Sequence, residues 1–125
     1  MATYRHYGWP VSPYSGKTRA YLKYKDVNFD DIESNLVQLY TAHHRKVGRP
    51  VMPVVHTPEG TVLQDTTEII DWFESRFPSR SVYPESPVQT TMALLIELLA
   101  DEWLPLIALH SRWNNPKNSA WAVAE

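Results

Sequence analysis

Residues 3–34, TYRHYGWPVSPYSGKTRAYLKYKDVNFDDIES, are the stretch that decides the fold. Thr3–Gly8 predicts a short strand that ends at a Trp-Pro pair, and Ser15–Lys25 predicts a helix with Ser15 as its N-cap. Phe29–Ser34 predicts a second strand. A strand, a helix and a strand in this order place two parallel strands side by side through a right-handed crossover. The stretch therefore predicts an α/β fold.

Further along the chain, the pattern predicts two helices and a hairpin. The helices are expected at Leu36–His44 and Thr66–Phe77, and the second has apolar side chains at every fourth position. The hairpin strands are expected at Val54–Thr57 and Thr61–Gln64. Between them lies Thr57-Pro58-Glu59-Gly60, in which proline second and glycine fourth are typical of a type I turn.

A change of composition near residue 80 predicts a boundary. Residues 78–87 contain three prolines and three serines, which is typical of a linker. We expect a first domain at 1–80, a linker at 81–87 and the beginning of a helical domain at 88–125. A helix at Val88–Ser111, kinked at Pro105 and ended by Asn114-Asn115-Pro116, would fill most of this last part.

The predicted second-domain helix is apolar on all sides. One neighbour cannot cover such a helix, and few residues follow it. We expect either a truncated chain or association with a second copy. Glu97, Asp101 and Glu102 lie inside the apolar stretch, and a charge at the centre of a membrane span costs about 2.5–3.5 kcal/mol. The sequence therefore predicts no membrane insertion.

Composition excludes several classes of function. The chain has 125 residues, no cysteine and a net charge of −2, so it offers no disulfide framework, no cysteine zinc site and no protein thiol nucleophile. The near-neutral charge does not favour nucleic acid or anionic lipid. Met1–Val11 lacks the apolar run of a signal peptide, and a cytoplasmic location is expected. Neighbouring His43 and His44 point apart on a helix or strand, and no metal site is predicted.

Ser12-Pro13-Tyr14-Ser15 lies between the first strand and the first helix. A helix N-terminus offers N–H groups and partial positive charge, which favour an anion such as a thiolate. Lowering a thiol pKa by about two units requires roughly 2.7 kcal/mol, a magnitude that a hydroxyl donor and a helix end supply together. The alternative is an ordinary loop and N-cap.

Two further segments are suggestive. In Val51-Met52-Pro53-Val54-Val55, a cis Met52–Pro53 bond would turn the Met52 backbone outward to pair with an extended peptide; the alternative is a trans proline at a strand edge. In Gln64-Asp65-Thr66-Thr67-Glu68, either Asp65 or Thr66 is able to cap the next helix. The same groups offer a site for a ligand carboxylate and ammonium.

Taken together, the three segments resemble the glutathione transferase family, over roughly residues 3–113. Ser12-Pro13-Tyr14-Ser15 is similar to the serine-type active-site segment of the tau, zeta and theta-like classes. Val51–Val55 resembles the cis-proline motif of the family, and Leu63–Phe73 resembles its Glu-Ser segment with the following helix. The resemblance implies a thioredoxin-like, four-stranded mixed sheet with flanking helices, followed by the start of an all-α domain.

The resemblance also implies residue roles. Ser12 would favour the glutathione thiolate, and Met52 would pair its backbone with the cysteinyl part beside Pro53. Asp65 and Thr66 would hold the γ-glutamyl ammonium and carboxylate. Val51 and Gln64 complete the expected glutathione-binding set. Tyr7 is the runner-up to Ser12, because other classes of the family use a tyrosine at the end of the first strand.

Two departures from the family pattern concern the ends of glutathione. Asp65 replaces a glutamate and is one methylene shorter. Val51 stands where many members carry a lysine, so the glycine carboxylate requires another cation. The basic residues near it, among which the sequence does not choose, are His43, His44, Arg45, Lys46 and Arg49.

The activity implied is conjugation of glutathione, as co-substrate, to a small apolar electrophile by a homodimeric detoxification enzyme without a metal. Two alternatives stay open. One is a glutathione-dependent isomerase or dehalogenase. The other is a non-catalytic protein-interaction module of the same fold.

Overall fold

The structure is a computed structural model, and it describes residues 3–43, 48 and 50–124, with backbone only at positions 36, 42 and 43. The chain divides into two compact units, Met1–Arg80 and Ser81–Glu125. In the described part of the chain, no helix is long and apolar enough to cross a membrane.

The first unit is built on a four-stranded mixed sheet. Its strands are β1 (Tyr4–Gly8), β2 (Phe29–Glu33), β3 (Val54–His56) and β4 (Val62–Gln64), in the order β2-β1-β3-β4. β1 and β2 are parallel, whereas β3 is antiparallel to both β1 and β4. The predicted parallel crossover and hairpin are both present, and the sheet is of the thioredoxin-like type expected.

Two helices pack on one face of the sheet, α1 (Pro13–Tyr24) and a later helix at Thr66–Arg76. Phe73 lies at the centre of this core and is fully buried. Its ring contacts Tyr4 of β1 at 5.1 Å, Tyr21 of α1 at 6.4 Å and Phe77 at 5.9 Å between centroids. Aromatic pairs at these separations add to the stability that apolar burial provides.

The start of α1 differs from the prediction. Ser12, not Ser15, is the N-cap, and its Oγ accepts a hydrogen bond from the Ser15 backbone N–H at 3.2 Å. Pro13 explains the shift, because proline suits the first helical position, where no N–H partner is needed. Ser15 is fully buried instead, and its Oγ accepts from the Trp9 N–H at 3.1 Å.

The segment after β2 begins with the short helix α2 (Leu36–Gln38) and continues as a π-helical turn at Leu39–His43. The prediction of a helix at Leu36–His44 therefore holds for its described part. The helix Thr66–Arg76 is α3, and Asp65 is its N-cap. In the hairpin turn, the Gly60 N–H donates to the Thr57 carbonyl at 3.0 Å, and Gly60 has a φ of 91°.

A buried ion pair joins the ends of α1 and α3. Lys25 Nζ lies 3.0 Å from Glu74 Oε1, and the two side chains are 1% and 8% exposed. The Tyr21 hydroxyl donates to the same carboxylate at 2.7 Å, and Lys25 also donates to the Ser79 carbonyl at 2.7 Å. These contacts hold the two helices and the following loop together.

The second unit consists of α4 (Pro87–Glu102), α5 (Leu104–Asn114) and α6 (Pro116–Ala124). The predicted single kinked helix is wrong, because the helix breaks at Trp103, two residues before Pro105. A proline at the second position of a new helix fits better than one inside a helix. Pro116 likewise begins α6, which the sequence did not predict, and the Asn115 side chain accepts from the Lys117 N–H at 3.0 Å.

Candidate functional site

The sheet register brings the three sequence motifs to one end of the sheet. Tyr7 pairs with Val54, and Val54 pairs with Gln64, so these residues form a row across β1, β3 and β4. The chain leaves β1 toward Ser12, enters β3 from Met52 and Pro53, and leaves β4 toward Asp65 and Thr66. Because β3 runs opposite to its two neighbours, all three connections lie at the same end of the sheet.

At the first connection, Ser12 lies directly before α1 and is half-buried. Its oxygen accepts the Ser15 N–H, and its O–H is a separate donor. The partial positive charge of the helix N-terminus acts at the same place. This junction offers a donor and a favourable potential for an anion.

At the second connection, the Met52–Pro53 peptide bond is cis. Pro53 is fully buried, whereas Met52 and Val51 are half-buried. The cis bond that the family resemblance implies is therefore present at this position.

At the third connection, Asp65 caps α3 in an unusual backbone conformation. Its φ is 72° and its ψ 136°, a region that side chains other than glycine rarely adopt and that costs roughly 1–3 kcal/mol. The carboxylate accepts from the Thr67 N–H at 2.9 Å. Strained residues of this kind cluster at binding sites. The neighbouring Thr66 and Gln64 are buried.

Sequence reasoning missed Lys17. This residue lies on α1, and its Nζ donates to Thr66 Oγ1 at 3.3 Å across 49 positions of sequence. The contact places an ammonium at Thr66, the first residue of α3. No local pattern marks Lys17, since a lysine on a helix is usually a solvated residue.

Tyr7 lies on the opposite face of the sheet from α1. The neighbouring residue His6 faces α1, because its ring binds the Asp31 carboxylate, which the Arg19 side chain of α1 also binds. Successive side chains of a strand point to opposite faces, so Tyr7 points away from α1. The Tyr7 ring packs against His56, with 4.7 Å between centroids. The two candidates for activating a thiol therefore lie in different places. Ser12 is at the N-terminus of α1, and Tyr7 is on the face of the sheet opposite α1.

Beneath the first connection lies a polar network of His6, Asp31 and Arg19. His6 is fully buried, and its Nδ1 donates to Asp31 Oδ1 at 2.8 Å; the Arg19 guanidinium holds the other oxygen. Burial lowers the pKa of His6, and the Asp31 hydrogen bond offsets this only in part. Burial raises the pKa of Asp31, but the Arg19 and His6 hydrogen bonds outweigh it and bring this pKa below its usual value.

The basic residues considered for the glycine carboxylate, His44, Arg45, Lys46 and Arg49, lie outside the described residues, as does the His43 side chain. Among the described residues, no group of three or more histidine, aspartate or glutamate side chains is placed to hold a metal ion.

Comparison with known proteins identifies the first unit. The family model described as the glutathione S-transferase N-terminal domain matches residues 7–81. Human glutathione S-transferase omega-2 is 25% identical over 95 residues, which make up 75% of this chain and 39% of that protein.

Solved structures agree with this match. A glutathione S-transferase of Methylobacterium radiotolerans in complex with glutathione sulfonate is 26% identical, with a TM-score of 0.72 over 79% of this chain and 47% of that one. A tau-class enzyme of mango, 19% identical, shares the fold with a TM-score of 0.75 over 98% of this chain and 56% of its own. The chain thus spans about half the length of these structures, and less of its human relative.

Proposed function

Because this chain belongs to the glutathione S-transferase family through its N-terminal domain, we propose that it binds glutathione and transfers the glutathione thiolate to a small apolar electrophile. The observation that carries the proposal is that three connections meet at one end of the sheet: the connection after β1, the one before β3 and the one after β4. The similar Methylobacterium enzyme, which was crystallised with glutathione sulfonate, supports it.

In the proposed site, Ser12 donates its O–H to the glutathione sulfur. Its oxygen already accepts the Ser15 N–H, which fixes the side chain at the start of α1. Charge-assisted hydrogen bonds contribute about 1.5–3 kcal/mol, enough to lower a thiol pKa by one to two units. The electrophile is then attacked by a bound thiolate, and no covalent protein intermediate is needed.

The remaining residues hold the tripeptide. The Met52 backbone pairs with the cysteinyl part, and Val51 and Pro53 support that segment. Asp65 binds the γ-glutamyl ammonium, and Thr66 binds its carboxylate. Gln64, the last residue of β4, completes the set.

The test is Ser12→Ala. We expect the pKa of the bound glutathione thiol to rise, which is measured from the ultraviolet absorbance of the thiolate. We also expect kcat to fall about tenfold or more, because the loss of a charge-assisted hydrogen bond of this size has that effect. Glutathione affinity, measured by calorimetry, stays nearly unchanged. Ser12→Thr, which keeps a hydroxyl, is the matched control. If Tyr7→Phe has these effects and Ser12→Ala does not, Tyr7 is the activating residue.

A second candidate function is a protein-interaction module. It is favoured by the second unit, in which the large apolar side chains of α4 and α5 are 46–73% exposed. An exposed apolar surface of more than a few hundred Å² is typical of an interaction site. Absence of glutathione binding at millimolar concentration would favour this candidate. Under either function, we propose that the protein forms a homodimer and resides in the cytoplasm, with detoxification as the role of the enzyme.

A further inference from the structure

Three hydrogen bonds join Trp9, Ser12 and Ser15 in a closed ring at the start of α1. The Trp9 N–H donates to Ser15 Oγ at 3.1 Å, and the Ser15 N–H donates to Ser12 Oγ at 3.2 Å. The Ser12 N–H donates to the Trp9 carbonyl at 3.1 Å and closes the ring. Each of the three residues therefore donates one hydrogen bond to the next residue of the ring and accepts one from the residue before it.

The ring differs from the usual capping of a helix N-terminus. In a capping box, the side chain at the third helical position accepts the N–H of the N-cap residue. Here the Ser12 N–H is bound by the Trp9 carbonyl, within a four-residue turn whose second residue, Pro10, has a fixed φ angle. The Ser15 side chain, at the third position of α1, accepts the Trp9 N–H instead. The turn is thus bound to α1 at both of its ends.

The Ser15 side chain is in no position to touch a ligand, because it is fully buried. It is also closely packed, since a Cβ atom at Gly8 would lie 3.0 Å from Ser15 Oγ. Ser12, by contrast, is half-buried and carries the O–H that is proposed to donate to the glutathione sulfur. A hydrogen bond weakens steeply when its angle falls below about 120°, so the effect of Ser12 on a thiol depends on how the turn holds it.

We infer that Ser15 is a positioning residue for the proposed reaction. By accepting the Trp9 N–H, its hydroxyl fixes the turn that ends at Ser12 and keeps the Ser12 O–H directed at the sulfur of bound glutathione. The inference rests on the proposed function and adds to it a second serine, which acts only through Ser12. Loss of the Ser15 hydroxyl opens the ring and leaves the turn bound to α1 at its Ser12 end alone.

The experiment measures the pKa of the glutathione thiol bound to the 125-residue chain, from the ultraviolet absorbance of the thiolate. Ser15→Ala removes one buried oxygen atom and adds no bulk. We expect the thiol pKa to rise by about one unit, a tenfold change in the ratio of thiolate to thiol. Glutathione affinity, measured by calorimetry near pH 5.5, where the bound thiol is protonated, should change by less than about twofold, because Ser15 does not hold the tripeptide.

Three further variants separate positioning from general stability. Thr18→Val removes the hydroxyl of another fully buried residue of α1, which donates to the Tyr14 carbonyl outside the ring. It should leave the thiol pKa unchanged, even where urea denaturation shows a loss of stability. Ser15→Thr keeps the hydroxyl and should keep the wild-type thiol pKa. In Ser12→Ala protein, the addition of Ser15→Ala should raise the thiol pKa no further, because the effects of residues that act as one network are not additive.

The outcomes separate this inference from the proposed function. If Ser15→Ala leaves the thiol pKa unchanged, or if Thr18→Val raises it equally, the role of Ser15 is overturned and the proposed function stands. A rise in Ser15→Thr as large as that in Ser15→Ala also overturns it, since the hydroxyl is then not the cause. So does a further rise in the double variant, since Ser15 would then act independently of Ser12. If the wild-type protein binds no glutathione, the proposed function itself fails, and the inference fails with it.

Discussion

At the scale of single residues, the protonation state of His6 affects the stability of the fold. Its Nδ1–H donates to Asp31, and its Nε2 is buried with no hydrogen-bond partner among the described residues. A proton added to Nε2 would create a buried charge and an unsatisfied donor. The neutral ring is therefore the form that suits the folded protein.

We expect the free energy of unfolding to decrease as the pH falls below about 6.5, the pKa of an unperturbed histidine. The unfolded chain binds a proton on His6 there, whereas burial lowers the pKa in the folded protein, so protonation favours unfolding. For one proton, the free energy of unfolding changes by at most about 1.4 kcal/mol per pH unit. Below about 3.8, the lowered pKa of Asp31 acts with the same sign.

Urea denaturation between pH 5 and 8 measures this dependence. His6→Asn keeps a donor toward Asp31 without titrating, and it should flatten the slope between pH 5.5 and 6.5 even if it lowers stability overall. His110→Asn, at an exposed position of α5, is the control. Equal slopes in wild-type and His6→Asn proteins would contradict the assignment.

At the scale of elements, the contact of β1 with α1 sets where the first connection begins. A Cβ atom at Gly8 would lie 2.7 Å from His6 Cε1 and 2.9 Å from Ser15 Cβ, both in fully buried side chains. Neither neighbour has room to move. The absence of a side chain at Gly8 therefore lets α1 start directly above the end of β1, which positions Ser12.

Gly8→Ala should lower the free energy of unfolding by about 1–3 kcal/mol, the usual cost of overpacking a close-packed interior. The matched control is Gly16→Ala in α1, where an added Cβ meets nothing within 4 Å. That change should raise stability by up to about 1 kcal/mol, because alanine is the better helix former. Urea denaturation measures both. Gly8→Ala as stable as wild type would show that the contact is looser than described.

At the scale of the whole molecule, the two units differ in how they bury apolar side chains. The unit Met1–Arg80 encloses a core that includes Leu22, Val54, Val55, Ile69 and Phe73, all with no exposed surface. In α4 and α5, by contrast, no residue is buried. A stable protein interface buries roughly 800 Å² on each partner, and α4–α6 offer apolar side chains for such a surface.

We expect the chain to associate with a second copy as its concentration rises, because association removes this apolar surface from water. Sedimentation velocity from about 1 to 100 µM covers the affinity range in which weak dimers form. Leu95→Lys with Leu99→Lys, on α4, should shift the distribution toward monomer. Val37→Lys, in the first unit, is the control, since Val37 is 70% exposed and Leu95 and Leu99 are each 54% exposed. A monomer at all concentrations would contradict the proposed homodimer.

Local pattern was sufficient for much of the fold. The strands and the two long helices of the first unit depend on alternation, periodicity and turn residues within short windows, and their predicted positions agree with the structure to within one or two residues. The errors came at prolines. Pro13, Pro105 and Pro116 each lie near a helix start, whereas the sequence suggested a later start, a kink and a helix end. A proline fixes its own φ angle and lacks a backbone N–H in all these cases. Its presence in the sequence therefore does not distinguish a helix start from a kink or a helix end.

By itself, the sequence determined the order of strands and helices in the first unit, the family resemblance and the presence of Ser12, Met52 and Asp65 in suitable motifs, since these depend on neighbours a few positions apart. Tertiary structure alone decided that Lys17 meets Thr66, that His6 and Ser15 are both buried beside Gly8, and that Tyr7 faces away from α1. The physical reason is distance along the chain. Contacts across 49 positions exist only after the strands have paired and α1 and α3 have packed on one face of the sheet, and no periodicity within a helix records them.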